Sequence, residues 1–135
     1  MPGPAYLLDT DWIIDHLSGV EAVSRKILEL DQAGLAVSIV SLAELYEGVY
    51  FARDPEKSLA SLRRFLNGIN VIGLEEDICS WFGKERGRLR RAGRIVGDFD
   101  LLIAGTAIRH GLTLCTNNRR HFEMIDNLHL MSVDR

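Results

Sequence analysis

Two cysteines in 135 residues, Cys79 and Cys115, exclude a disulfide framework and a thiolate zinc site. Each lies in an apolar segment and reads as a small core residue. There are only three prolines, no repeat and no low-complexity stretch, which excludes a Pro-rich linker or a solenoid. No apolar run approaches the roughly 20 residues of a membrane helix. The opening Met1-Pro2-Gly3-Pro4 carries no basic region, and Asp9 and Asp11 interrupt the apolar residues after it. No secretory signal and no membrane partner are expected, and a cytoplasmic location follows.

What is present is an ordinary globular mixture, 47% hydrophobic and 26% charged. A chain of this length fits one domain and buries roughly two-thirds of its unfolded surface. The net charge of −3 argues against a nucleic-acid binder driven by overall charge. Locally the balance differs. From Lys84 to Arg94, six basic residues (Lys84, Arg86, Arg88, Arg90, Arg91, Arg94) stand against the single acid Glu85. Such a strip is either a solvated helix face or a track for phosphates.

Apolar runs and helical stripes alternate along the chain. Ala5–Asp9 reads as a short buried strand, with Thr10 or Asp11 capping a helix to about Leu17. Val20–Ala33 carries Val23, Ile27, Leu28 and Leu30 at helical spacing and is closed by Gly34. Leu35–Val40 reads as a central strand, and Ser41 as the cap of a helix with Leu42, Leu45, Tyr46 and Val49 on one face and Glu44 in its first turn. Asp54-Pro55 starts a helix to about Asn67-Gly68. Asn70–Ile72 is a strand, and Glu75–Ala92 a long helix with Ile78, Trp81, Phe82 and Leu89 inward. Asp98 caps a helix over Phe99–His110, stopped by Gly111. A strand at Leu112–Thr116, a short helix near His121–Ile125 and a last strand near Leu128–Val133 complete a three-layer α/β/α sandwich around a mostly parallel sheet.

Three acids fall where an apolar run meets a helix start: Asp9, Glu44 and Asp100. In an open parallel sheet the carboxyl ends of the strands line one crevice, so these acids converge. Such crowding of like charge is costly unless a cation neutralises it. Mg²⁺ takes oxygen ligands and usually one or two carboxylates directly. Asp9 and Asp100 are the expected direct ligands, with Glu44 acting through water, which points to metal-dependent chemistry on phosphates. Asp98 is better explained as the helix N-cap than as a direct participant, leaving it a supporting role in the site, and Asp11 shares that ambiguity.

The stretches Leu-Leu-Asp-Thr from Leu7, Ser-Leu-Ala-Glu-Leu-Tyr-Glu-Gly from Ser41, Gly-Asp-Phe-Asp-Leu-Leu-Ile-Ala-Gly-Thr-Ala from Gly97, and Leu-Cys-Thr-Asn-Asn-Arg-Arg-His-Phe from Leu114 come in that order. Together they resemble PIN-domain ribonucleases of the VapC toxin type over nearly the whole chain. The resemblance implies a single PIN-like domain over residues 1–135 and a metal-dependent endoribonuclease, the toxin of a type II toxin–antitoxin system. It implies Mg²⁺ or Mn²⁺ at Asp9, Glu44 and Asp100, with Thr116 and Asn118 in support. It also implies an RNA substrate, a cognate antitoxin and a homodimer. Many relatives carry a fourth acid after the late strand, where this chain reads Thr116-Asn117-Asn118-Arg119-Arg120-His121-Phe122. His121 stands near that place and is a poor Mg²⁺ ligand, so a single ion is expected. Arg119 and Arg120, with Arg90 and Arg91 of the strip, are candidate RNA-phosphate contacts. Trp12, Tyr46, Tyr50, Phe51 and Trp81 are core or interface, and Tyr46, Tyr50 and Phe51 are candidates for the antitoxin contact.

Two other readings compete. Asp9-Thr10-Asp11 also resembles the nucleophile segment of haloacid-dehalogenase-type phosphatases, in which Asp9 would attack phosphate covalently. That reading wants a further acid at position 102, which is Leu102. A PIN-like binding module that cleaves nothing is the other, motivated by the missing fourth acid.

Overall fold

The computed structural model describes residues 3–134. Five short strands form one sheet: β1 (Tyr6–Leu8), β2 (Leu35–Ser38), β3 (Asn70–Ile72), β4 (Thr113–Cys115) and β5 (Leu130–Met131). Their spatial order is β3-β2-β1-β4-β5, and every pairing is parallel. Six α-helices cover it: α1 (Thr10–Leu17), α2 (Glu21–Leu30), α3 (Ile39–Tyr50), α4 (Pro55–Leu66), α5 (Glu76–Arg91) and α6 (Asp98–His110). The expected α/β sandwich is therefore observed, with all five strands where the apolar runs placed them.

Strand alternation sorts the core into two halves. Leu7, Ala36 and Leu114 pack with Leu89, Leu101, Ile103, Ala104, Phe122 and Ile125, the side covered by α5 and α6. Leu8, Leu35, Val37 and Cys115 pack with Trp12, Ile13, Val23, Ile27, Leu45, Val49 and Leu62, the side of α1 to α4. The chain leaves β1 toward β2 and β3, then returns through α5 and α6 to β4 on the other flank of β1. The strand order thus reverses between β1 and β4, and loops after those two strands diverge to leave a crevice.

Several helix starts differ from expectation. The strand expected to reach Val40 ends at Ser38, whose hydroxyl accepts the Val40 N–H at 3.0 Å. Ser38, not Ser41, is the cap of α3. Ile39 and Val40 are β-branched enough to continue a strand, but the serine captures the turn first. Ser41 is instead buried inside the helix with no hydrogen-bond partner for its Oγ among the described residues, and Glu44 falls in the second turn rather than the first. At α1 the cap is Asp9, not Thr10 or Asp11. At α6 it is Gly97; Asp98 is already helical, and its carboxylate pairs with Arg86. Cys79 is exposed rather than core, since the inward stripe of α5 runs through Ile78, Glu85 and Leu89. The short helix expected near His121–Ile125 is a 3-10 turn, Arg119–His121.

Gly105 of α6 faces Trp81 and Ile78 of α5 with no room for a side chain. A Cβ there would lie 2.7 Å from Trp81 Cε3 and 3.3 Å from Ile78 Cγ2. Alanine at a helix interior ordinarily gains up to about 1 kcal/mol over glycine, but overpacking a rigid indole costs about 1–3 kcal/mol. Gly105→Ala should therefore lower the denaturant midpoint at unchanged slope. A midpoint that rises would show that α5 and α6 separate freely.

Candidate functional site

The crevice at the β1/β4 reversal is a cleft of about 490 Å³ lined by Asp9, Thr10, Asp11, Ile14, Glu44, Gly97, Asp98, Phe99, Asp100, Asn118 and His121. It brings together residues from four parts of the chain. Asp9, Glu44, Asp100, Asp98 and Asn118, all singled out in the sequence, line it directly.

Asp9 is the most constrained of them. It follows β1, is only 3% exposed, and its backbone N–H continues the β1–β4 ladder to the Cys115 carbonyl at 2.9 Å. Its Oδ1 accepts the Thr10 N–H at 2.9 Å and its Oδ2 accepts the Thr116 hydroxyl at 2.7 Å. That hydroxyl in turn accepts the Asn118 N–H at 3.0 Å, so the loop after β4 is folded around the carboxylate. Asp11 accepts the Asn117 N–H at 3.0 Å. Thr10 donates its hydroxyl to Glu44 Oε1 at 2.7 Å and so ties α3 to the start of α1. On the opposite wall, Asp100 lies 3.1 Å from His121 Nδ1, while Asp98 pairs with Arg86.

Burial pushes the Asp9 carboxyl up to about 7 from 3.8, opposed by the Thr116 hydrogen bond and reinforced by the charges of Asp11 and Asp100. Asp100 is raised as well, chiefly by burial and against the pull of His121. The site therefore holds negative charge reluctantly.

Sequence reasoning passed over two polar residues here. Thr10 is the link that fixes Glu44. Asn117 accepts the Trp12 indole N–H at 2.9 Å and pairs with the Val133 backbone through both ends of its amide. A signal for the second existed: a Trp12 buried in the core must find an acceptor for its N–H.

The basic strip is only partly free. Arg86 donates to the Val96 carbonyl and pairs with Asp98, and Arg88 binds Glu85 through two nitrogens and reaches the Met124 carbonyl. Lys84, Arg90, Arg91 and Arg94 remain exposed, without an ion pair among the described residues. Arg119 and Arg120 follow Asn118 at the cleft edge, Arg119 donating to Ser132 Oγ at 3.0 Å. Of the aromatic candidates, Trp12 is core, Trp81 is half-buried, and Tyr46 stacks on the exposed Tyr50 beside an exposed Phe51. A second, more apolar groove of about 380 Å³ lies between α1, α3 and α4 and shares Ile14 and Glu44 with the cleft.

The PIN domain family model matches residues 6–128. The chain belongs to that family. This PIN domain is 36% identical over 123 residues to the tRNA(fMet)-specific endonuclease VapC of Shigella flexneri, covering 91% of this chain and 93% of the relative. It is 37% identical over 132 residues to Ribonuclease VapC2 of Rickettsia felis, covering 96% and 98%. These place it within the VapC group. Its fold superposes with a TM-score of 0.90, at 31% identity, on a chain of the VapBC2 crystal structure from Rickettsia felis bound to a promoter DNA fragment, covering 96% of this chain and 99% of that one.

Among the described residues no three acids, histidines or cysteines form a ready-made metal cage. The donor set still suits a hard cation. It is oxygen-rich, it carries two carboxyls whose ionisation their surroundings oppose, and Mg²⁺ needs only one or two of them with waters completing its shell.

The raised carboxyl fixes a pH dependence in the absence of metal. Between about 4 and about 7 the folded state holds a proton on Asp9 that the unfolded chain has lost, so stability falls as pH rises through that window. In chelator, Tm should decline from pH 4 to pH 7, and Asp9→Asn should flatten the decline. A wild-type curve parallel to that of the variant would show that Asp9 ionises freely.

Proposed function

We propose that this chain is a metal-dependent endoribonuclease and the toxin of a toxin–antitoxin pair, hydrolysing RNA phosphodiester bonds at the Asp9–Glu44–Asp100 cleft. The observation that carries the reading is the convergence of these acids from three separate segments on the β1/β4 reversal, around a carboxyl that burial and its neighbours keep from ionising alone. Its similarity to the VapC endonucleases and ribonucleases supports the substrate class.

Asp9 and Asp100 would hold Mg²⁺ or Mn²⁺. When bound there, such an ion neutralises phosphate charge and makes water a stronger nucleophile. The protein's own residues set the geometry. Thr116 and the Thr10 N–H leave Asp9 a single orientation, and Glu44, held by the Thr10 hydroxyl, aligns the attacking water. His121, in the 3-10 turn after β4, steadies Asp100. Asn118 faces the substrate with an amide that donates and accepts. Water adds to phosphorus, the bond to one bridging oxygen breaks, and that oxygen leaves with a proton as a hydroxyl.

Arg119 and Arg120 at the cleft edge, and Arg90 and Arg91 at the end of α5, supply phosphate contacts outside the reacting centre. Support comes from Arg86, one turn before Arg90 on α5, which pairs with Asp98 of the cleft. The cognate antitoxin is the protein partner, and the chain acts as a homodimer. Residues 1–135 form one domain.

Cleavage of single-stranded RNA by the purified chain with Mg²⁺ or Mn²⁺ should vanish in chelator and fall at least about a hundredfold in Asp100→Asn. Intact RNA with every metal tested would move the reading to a PIN-like module that binds without cutting. In the Asp100→Asn background, Arg119→Glu with Arg120→Glu should weaken RNA binding and flatten its salt dependence by about 0.7 for each phosphate no longer neutralised. Arg90→Glu with Arg91→Glu should do the same; an unchanged salt slope removes that pair from the RNA path.

A further inference from the structure

The acid cleft has an apolar rim that neither its carboxylates nor the cores explain. Phe99 lines the cleft and is 55% exposed, and Ile14 lines it from α1 at 49%. Neither side chain belongs to either hydrophobic core. Phe99 occupies the first turn of α6 between Asp98 and Asp100. An aromatic residue loses rotamer freedom in a helix, so neither propensity nor packing accounts for it there. Among the described residues its ring has no aromatic or cationic partner. The same cleft offers the Asn118 amide, and two arginines follow it directly.

An exposed π-face, an amide able to read a base edge and flanking guanidinium groups, all beside a candidate phosphate-cleaving centre, are the features that recognise an unpaired nucleotide. We propose that Phe99 is a stacking platform for the base next to the scissile phosphate, with Ile14 adding apolar surface to the same cleft. This inference rests on the ribonuclease reading and adds a specificity residue to it. Duplex RNA is rejected because its bases are held in the helix and cannot splay onto the ring. An apolar side chain of a partner protein could occupy the same rim, but it would need no aromatic face.

The test uses a single-stranded oligoribonucleotide that the wild-type chain cleaves, together with copies carrying one abasic nucleotide on either side of the cut. Phe99→Ala should raise KM about tenfold or more, within the roughly 5- to 150-fold range expected for removing a base–aromatic stack, with a smaller change in kcat. Phe99→Tyr should retain wild-type KM, and Phe99→Leu should behave like alanine. Wild type should lose a similar factor on one of the two abasic substrates, and Phe99→Ala should be indifferent to that base, which is the coupling expected of a direct contact. Equal loss of both abasic RNAs by wild type and Phe99→Ala would overturn the proposal, as would full rescue by leucine. If the wild-type chain cuts no RNA, the ribonuclease reading itself fails; if it cuts and Phe99→Ala matches it, only the stacking platform falls.

Discussion

One buried carboxylate organises this molecule. Asp9 follows β1, caps α1, and accepts a hydrogen bond from the hydroxyl of Thr116, which follows β4. Each of those roles alone is ordinary. Combined, they force the loops after β1 and β4 to meet over a side chain that resists being charged. Neutralising it with hydrophobic packing would stabilise the fold and erase the site. The protein instead keeps the acid and surrounds it with donors from Thr10 and Thr116, which limits the cost of burial without abolishing it.

The sheet register protects this arrangement. Leu7 faces the α5–α6 side while Leu8 faces α1 to α4, and β1 is paired on both edges. A slip of one residue would exchange those faces, expel Leu7 and Leu8 from their respective cores, and carry Asp9 away from Thr116. Two fully buried leucines, each worth about 1.5–3 kcal/mol, therefore help to hold the acid in place alongside its own hydrogen bonds. The close approach at Gly105 acts similarly on the other wall: it seats α6 against α5, and the α6 N-terminus carries Asp100.

The strands and most helix boundaries were legible because apolar runs, Gly34, Asp54-Pro55 and Gly111 are local signals. The clustering of Asp9, Glu44 and Asp100 was legible too, since parallel topology sends strand ends to one crevice. What local reasoning misjudged were choices between adjacent polar residues. Ser38 and Ser41 are equally good caps in isolation, and it is the Ser38 hydroxyl that accepts the Val40 N–H and starts α3, while Ser41 is buried inside the helix. Asp98 looked like a cap because its partner Arg86 lies 12 residues earlier on another helix. The same pair explains why the basic strip is less free than its composition suggests. Side-chain links over more than 100 residues, such as Trp12 to Asn117, leave no periodic trace at all.

Electrostatics then set a condition on any polyanion that enters the cleft. Screening at physiological salt confines charge effects to about 8 Å, so the net −3 of the whole chain matters less than the groups lining the site. Those groups are mostly acidic: Asp9, Asp11, Glu44 and Asp100, with Asp98 already matched by Arg86. The arginines at residues 119 and 120 lie on the edge, not among them. A phosphate moving from those arginines to the carboxylates would pass from attraction into repulsion. A divalent cation reverses that gradient. Under the proposed ribonuclease reading, a metal held by these carboxylates would therefore favour the approach of a phosphate as well as activate water.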